Sequence, residues 1–186
     1  YGSVIATFDF PIYKTDESIK HEQDSLLKQF QPYYTVNTTV GDEQVKRFLH
    51  DFSQGIPGLP KEFVGLVAQQ LHHVYQTGIV STPEYNRIYK DSTSMIRIIS
   101  GKNVKSVPIG TFYSTIAAYE RIFFNQQIAE QRQILSRCNL NDYVEPNLIY
   151  DKERSETEKT DLLSSIPLAS GMVMSGQKII DRGEED

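Results

Sequence analysis

The feature that most constrains this chain is a phrase it carries twice, once towards each end. FPIYKTDESIKHEQDSLLKQFQPYY and NLIYDKERSETEKTDLLSSIPLASG each hold an Ile-Tyr pair, Ile12-Tyr13 and Ile149-Tyr150. A charged stretch with a Leu-Leu pair follows in each, Leu26-Leu27 and Leu162-Leu163. Then comes a proline, Pro32 or Pro167, leading into an extended piece. The match is loose and needs a slip of two residues. Two strand–helix–strand arms around a helical middle would lay their strands side by side and bring the termini together. Close termini suit a domain inserted between two other segments of a longer protein.

Thr15 or Asp16 can cap the first charged helix, whose Ile19, Leu26, Leu27 and Phe30 recur at roughly helical spacing. QPYYTVNTTVG is rich in Tyr, Thr and Val and reads as extended. DEQVKRFLHDFSQG places Val45, Phe48, Leu49 and Phe52 on one stripe and stops near Gly55. IPGLP is a turn, and LPKEFVGLVAQQLHHVYQTG is a strongly apolar helix ending at Gly78. A helical turn begins at Pro83, and SMIRIISGKNVKSVPIG reads as two short strands around Gly101-Lys102-Asn103. TFYSTIAAYERIFFNQQIAEQRQILSRC is expected as a long helix with a break near Asn125. Extended VEPNLIYD, the charged helix KERSETEKTDLLSSI and a β-like close complete the chain.

This is an α+β pattern: a helix-rich middle with short strands, not alternating βαβ units. A single domain over 1–186 is expected, with arms of about 1–40 and 144–186 and a helical middle of about 41–143.

A net charge of -5 and a pI near 5.4 argue against a nucleic-acid partner, because no segment collects the Lys/Arg needed to neutralise phosphates. The single cysteine, Cys138, rules out an internal disulfide and a cysteine-based zinc site. It reads as a core or helix-end filler. No apolar run approaches the roughly 20 residues of a membrane span. YGSVIATFDF and RGEED are expected to be boundaries within a longer parent.

The most tempting chemical motif is FLHDF, where His50-Asp51 resembles the dyad of the HD phosphohydrolases and His21 lies upstream. His21 falls in a polar helix, however, and no basic residue follows the dyad where that motif needs one. The amphipathic stripe accounts for the segment, with His50 and Asp51 near its wet side. His72-His73 are adjacent and point about 100° apart on a helix, so they cannot ligate one metal as i, i+4 pairs do. One is expected at the core edge and the other in solvent. GQKIIDRG is not a phosphate loop, Ser175 lacks the nucleophile-elbow pattern, and Asn37 in NTT is a sequon without supporting context. PYYTV and TFYSTIAAYERIFF could line a pocket, although aromatics at helical spacing usually form core.

The two arms carry a family resemblance. VIATFDFPIYKTDE and VEPNLIYDKERSETEK…SSIPLASGMVMSGQKIIDRGE resemble the extracellular domain of the seven-transmembrane HD-hydrolase receptors. That family typically reads D-x-I-A-P-x-D-F after its first membrane helix. Before its second it reads P-N-x-x-Y-D-x-x-x-T-x-x…P…G-x-x-I-x-x-G-E. Matching residues are Ile5, Ala6, Phe8, Asp9, Phe10, Pro146, Asn147, Tyr150, Asp151, Glu153, Gly176, Ile179, Gly183 and Glu184. Thr7 replaces the usual proline, and Ser155 or Thr157 takes the threonine position.

The resemblance implies a non-catalytic, extracytoplasmic sensor or regulatory domain of a bacterial multi-pass membrane protein. Its partners would be its own transmembrane helices, a cytoplasmic HD domain similar to metal-dependent cyclic di-AMP phosphodiesterases, and an extracytoplasmic ligand or protein. A homodimer is left open. The catalytic dyad would then lie elsewhere. No residue of this segment is assigned to catalysis, a cofactor or a metal. Ligand-binding residues stay open, with Tyr33, Tyr34 and the 112–124 aromatic run as candidates. Competing readings are a structural or dimerisation module of the same protein, and a metal-dependent HD hydrolase centred on His50.

Overall fold

The two repeated phrases fold alike in the computed structural model, which describes residues 4–5, 9–173 and 178–179. The first arm runs β1 (Val4–Ile5), β2 (Phe10–Tyr13), α1 (Asp16–Gln29) and β3 (Tyr33–Val36). Thr15 caps α1, its hydroxyl accepting from the Ser18 N–H at 3.1 Å. The middle holds α2 (Val40–Asp51), α3 (Glu62–Thr77), β4 (Ile79–Val80), α4 (Thr82–Lys90), β5 (Met95–Ser100) and β6 (Asn103–Pro108). It continues through β7 (Tyr113–Ser114), α5 (Thr115–Ile122), α6 (Gln126–Glu130) and α7 (Arg132–Leu135) to two 3-10 turns. The second arm is β8 (Leu148–Tyr150), α8 (Lys152–Ser164), β9 (Ala169–Val173) and β10 (Lys178–Ile179).

The arms exchange strands reciprocally. The Ile-Tyr strand of the first arm, β2, pairs antiparallel with β9, which follows the second arm's proline (Phe10 opposite Val173). Conversely, β8 pairs antiparallel with β3, which follows the first arm's proline (Tyr34 opposite Tyr150). β1 and β10 add a further antiparallel pair. The α+β expectation and the pairing of the arms are both met.

Two compact units result, Tyr1–Phe30 with Glu156–Asp186, and Gln31–Ser155. In the terminal unit no described side chain is buried. Its helix α1 keeps Ile19, Leu26 and Leu27 only half-buried, and Lys14 pairs with Glu22 at 2.9 Å.

The central unit is built on a mixed sheet of order β6-β5-β3-β8, in which β3 runs parallel to β5. β4 and β7 form a separate two-stranded parallel ladder. Two clusters form its core. Phe48, Val67, Leu71, Val74, Ala118, Ile122, Ile128 and Leu135 join α2, α3 and α5–α7. Tyr34, Val80, Ile88, Ile96, Phe112 and Leu148 form the second cluster. Each such Leu, Ile or Phe contributes roughly 1.5–3 kcal/mol by leaving water.

The expected long helix over TFYSTIAAYERIFFNQQIAEQRQILSRC is corrected. Tyr113 and Ser114 are strand, and the helix starts only after them because Ser114 Oγ accepts from the Ala117 N–H at 3.1 Å. The chain breaks at Asn125, as expected. Asn125 is extended, and its Oδ1 caps α6 at the Ile128 N–H, 3.1 Å away. A further break follows at Gln131, and the segment ends in 3-10 turns at Ser136–Cys138 and Leu140–Tyr143. Side-chain oxygens that satisfy the first N–H groups of a new helix compete with continuation of the old one.

Candidate functional site

The motif residues of the second arm are brought together around β3, where they act as fasteners. Asn147 is buried, and its side-chain oxygen accepts from the Ile79 N–H at 2.8 Å while its amide donates to the Tyr75 carbonyl at 2.9 Å. Its own backbone closes the same joint, its carbonyl accepting from the Asn37 N–H and its N–H donating to the Ile79 carbonyl. Asp151 Oδ1 accepts from the Arg154 N–H at 2.9 Å, which caps α8. Ser155 is 1% exposed, and its hydroxyl accepts from the Tyr33 N–H at 2.8 Å. Of the two residues that could take the threonine position of the motif, Ser155 is buried and Thr157 is exposed. Ala6, Thr7, Phe8, Ser175, Gly176, Gly183 and Glu184 lie outside the described residues.

Tyr33 and Tyr34 are structural where they stand. The Tyr34 ring is fully buried, and its hydroxyl donates to Glu84 Oε2 at 3.1 Å. Burial, and secondarily the Glu84 charge, push its pKa far above the usual tyrosine value. Arg87 bonds the same Glu84 oxygen at 2.8 Å and lies 4.2 Å over the Tyr150 ring. Tyr33 is nearly buried, with the Arg154 and Arg97 guanidiniums 4.9 and 5.7 Å from its ring centre.

The tempting dyad is also a fastener. His50 is exposed, while Asp51 Oδ2 accepts from the Tyr143 hydroxyl at 2.6 Å and lies 3.9 Å from Arg47 Nη1. Burial, and next the bond to Asp51, push the Tyr143 hydroxyl up to about 12. Arg47 covers the Tyr143 ring at 4.2 Å, and Phe48 meets it edge-on at 5.4 Å. Tyr75 is likewise pushed up to about 12 by burial, and its oxygen accepts from the Glu145 N–H at 2.9 Å. His21 is exposed on α1, and no group of three or more His, Cys, Asp or Glu among the described residues could hold a metal ion. Cys138 is half-buried against the first core, and burial raises its thiol pKa.

The feature shaped to receive something is a polar groove of about 440 Å³ beside α3. The helix buries Phe63, Val67, Leu71 and Val74, a stripe at helical spacing, which turns Gln69, Gln70, His72, His73 and Gln76 outward. The opposite side comes from Arg121, Phe124 and Asn125, held at the elbow between α5 and α6 by the Asn125 cap. His72 and His73 are both exposed and both line the groove, so the expectation of one at the core edge is corrected. Adjacent residues straddle the wet face here because Leu71 and Val74 take the buried stripe.

Of the 112–124 aromatic run, Phe112 and Phe123 are core, whereas Phe124 is 68% exposed beneath the Arg121 guanidinium, 4.2 Å from its ring centre. A smaller cleft of about 210 Å³ shares His72 and Gln76 with the groove and adds Asn37, Thr38 and Asp42. Sequence reasoning flagged the histidines and the aromatic run. It missed the glutamines, whose only signal is three amides on the polar face of an otherwise apolar helix.

No described helix is long and apolar enough to cross a membrane. No curated protein and no solved structure matches the chain. The family model described as 7TM-HD extracellular matches residues 3–185, which takes in both exchanged arms and everything between them. The chain therefore belongs to the family of extracellular domains of 7TM-HD proteins.

Proposed function

We propose that this is the sensor domain of a bacterial, membrane-anchored HD-family phosphohydrolase. It is itself non-catalytic and passes an extracytoplasmic signal through membrane helices to a cytoplasmic HD domain that hydrolyses cyclic di-AMP. The observation that carries this reading is the antiparallel β2–β9 ladder, which unites a strand of the first arm with one of the second. Each of those strands joins the central unit through one helix, α1 or α8. A ligand held in the central unit can influence the membrane helices only if it binds two arrangements of the domain with different affinity. The groove beside α3 is the place for that ligand. The non-catalytic reading draws on Asp51 Oδ2, which accepts from the Tyr143 hydroxyl and lies 3.9 Å from Arg47.

The test uses the full-length parent in membranes. Residues 31–155 are replaced by a Gly/Ser linker, and cyclic di-AMP hydrolysis is measured at matched expression. The sensor reading expects a several-fold change in rate. An unchanged rate would show that this domain does not regulate the enzyme.

A further inference from the structure

We infer that the groove beside α3 takes a carboxylate-bearing sugar, an inference that rests on the reading of this groove as the domain's ligand site. Its lining is unlike that of a lipid or drug-like pocket, in which apolar side chains predominate. Here Gln69, Gln70 and Gln76 supply three amides beside Asn125, whose oxygen caps α6, and no acidic residue is present. Each amide offers a donor and an acceptor side by side, which matches adjacent hydroxyls on a pyranose ring. Among the described residues, the side chains of Gln69, Gln70 and Gln76 have no protein hydrogen-bond partner, so they are free to bond a ligand.

Phe124 supplies the flat surface. Arg121 covers one face of its ring, yet the ring stays 68% exposed, so the other face is open to the C–H face of a sugar. The acid follows from charge. The only permanent charge in the lining is Arg121, in a chain of net charge -5. No described carboxylate pairs with it, because its neighbour Glu120 is bonded to Arg132 at 2.7 Å. A guanidinium without a carboxylate partner, beside uncommitted amides, is a two-pronged receptor for a carboxylate. The absence of acidic lining argues against a metal ion or a cationic ligand.

The experiment titrates the 186-residue chain with glucuronate, glucose and acetate, following backbone amide shifts by NMR. Saturable shifts at residues 69–76 and 121–125 are expected with glucuronate, weaker ones with glucose, and none with acetate. Arg121→Gln should lose roughly ten-fold or more in glucuronate affinity. Arg121→Lys should retain part of the preference, and Phe124→Ala should weaken both sugars. The proposal is overturned if glucuronate gives no saturable shift, binds no better than glucose, or binds Arg121→Gln as well as the parent. Because this readout is binding to the isolated chain, it can fail while regulation of the hydrolase stands, and the converse also holds.

Discussion

Ser155 shows how much one small side chain can hold. Its hydroxyl accepts the N–H of Tyr33, a residue at the far end of the other arm's phrase. Removing it leaves a buried donor without a partner, which costs roughly 1–3 kcal/mol. Ser155→Ala should lower the urea midpoint accordingly, whereas Thr157→Ala, on the exposed side of the same helix, should leave it unmoved. Tyr75 and Tyr143 carry a pH dependence. Both are raised to about 12 in the folded chain, against an unfolded value near 10. The neutral phenol is therefore favoured by folding, and its stabilisation is complete below pH 10. It should fade as pH climbs from about 10 to about 12. Thermal melts at pH 9 and pH 11 should show this drop, and Tyr143→Phe should reduce it. Asn147 was visible in the sequence as part of a family phrase. Its work was not, because Tyr75 and Ile79 approach it only in three dimensions.

At the scale of elements, legibility followed the length and periodicity of the signal. α1, α3, β5, β6 and α8 all stand where capping residues, apolar spacing and a glycine-centred turn predict them. The β4–β7 pair was invisible because two-residue strands carry no period to read. The long helix was over-extended because Ser114, a cap, stood inside the expected helix, and because nothing in the sequence marks the further break at Gln131. The groove was half-visible: α3 reads as a strongly apolar helix with only one of His72 and His73 expected in solvent, and nothing local announces that Arg121 and Phe124 stand opposite. Gly78 governs the passage from α3 into β4. Its φ of 108° is one that L side chains rarely adopt, and an added Cβ would lie 2.8 Å from Leu148 Cδ1. Gly78→Ala should therefore cost about 1–3 kcal/mol in urea unfolding through strain alone. Gly65, with open space around it, should accept alanine with no loss.

For the whole molecule, the two units differ in what can hold them. Both core clusters belong to Gln31–Ser155, while the terminal unit has no buried side chain among its described residues. Amide hydrogen exchange should therefore show α3 and β3 protected up to the global stability, and β2, α1 and β9 opening at much lower free energy. Equal protection in both would refute this division. The reciprocal strand exchange also has a consequence in time. Phe10 is made early, but its partner Val173 is nearly the last described part of the chain to be made. At about 5–20 residues per second of synthesis, β2 waits on the order of ten seconds or more for its mate. Throughout that wait an unpaired strand edge is carried by a growing chain, open to any other strand that passes. The highly charged helix directly behind it, with Asp16, Glu17, Lys20, Glu22, Asp24 and Lys28, keeps that first strand in water until the second arm arrives.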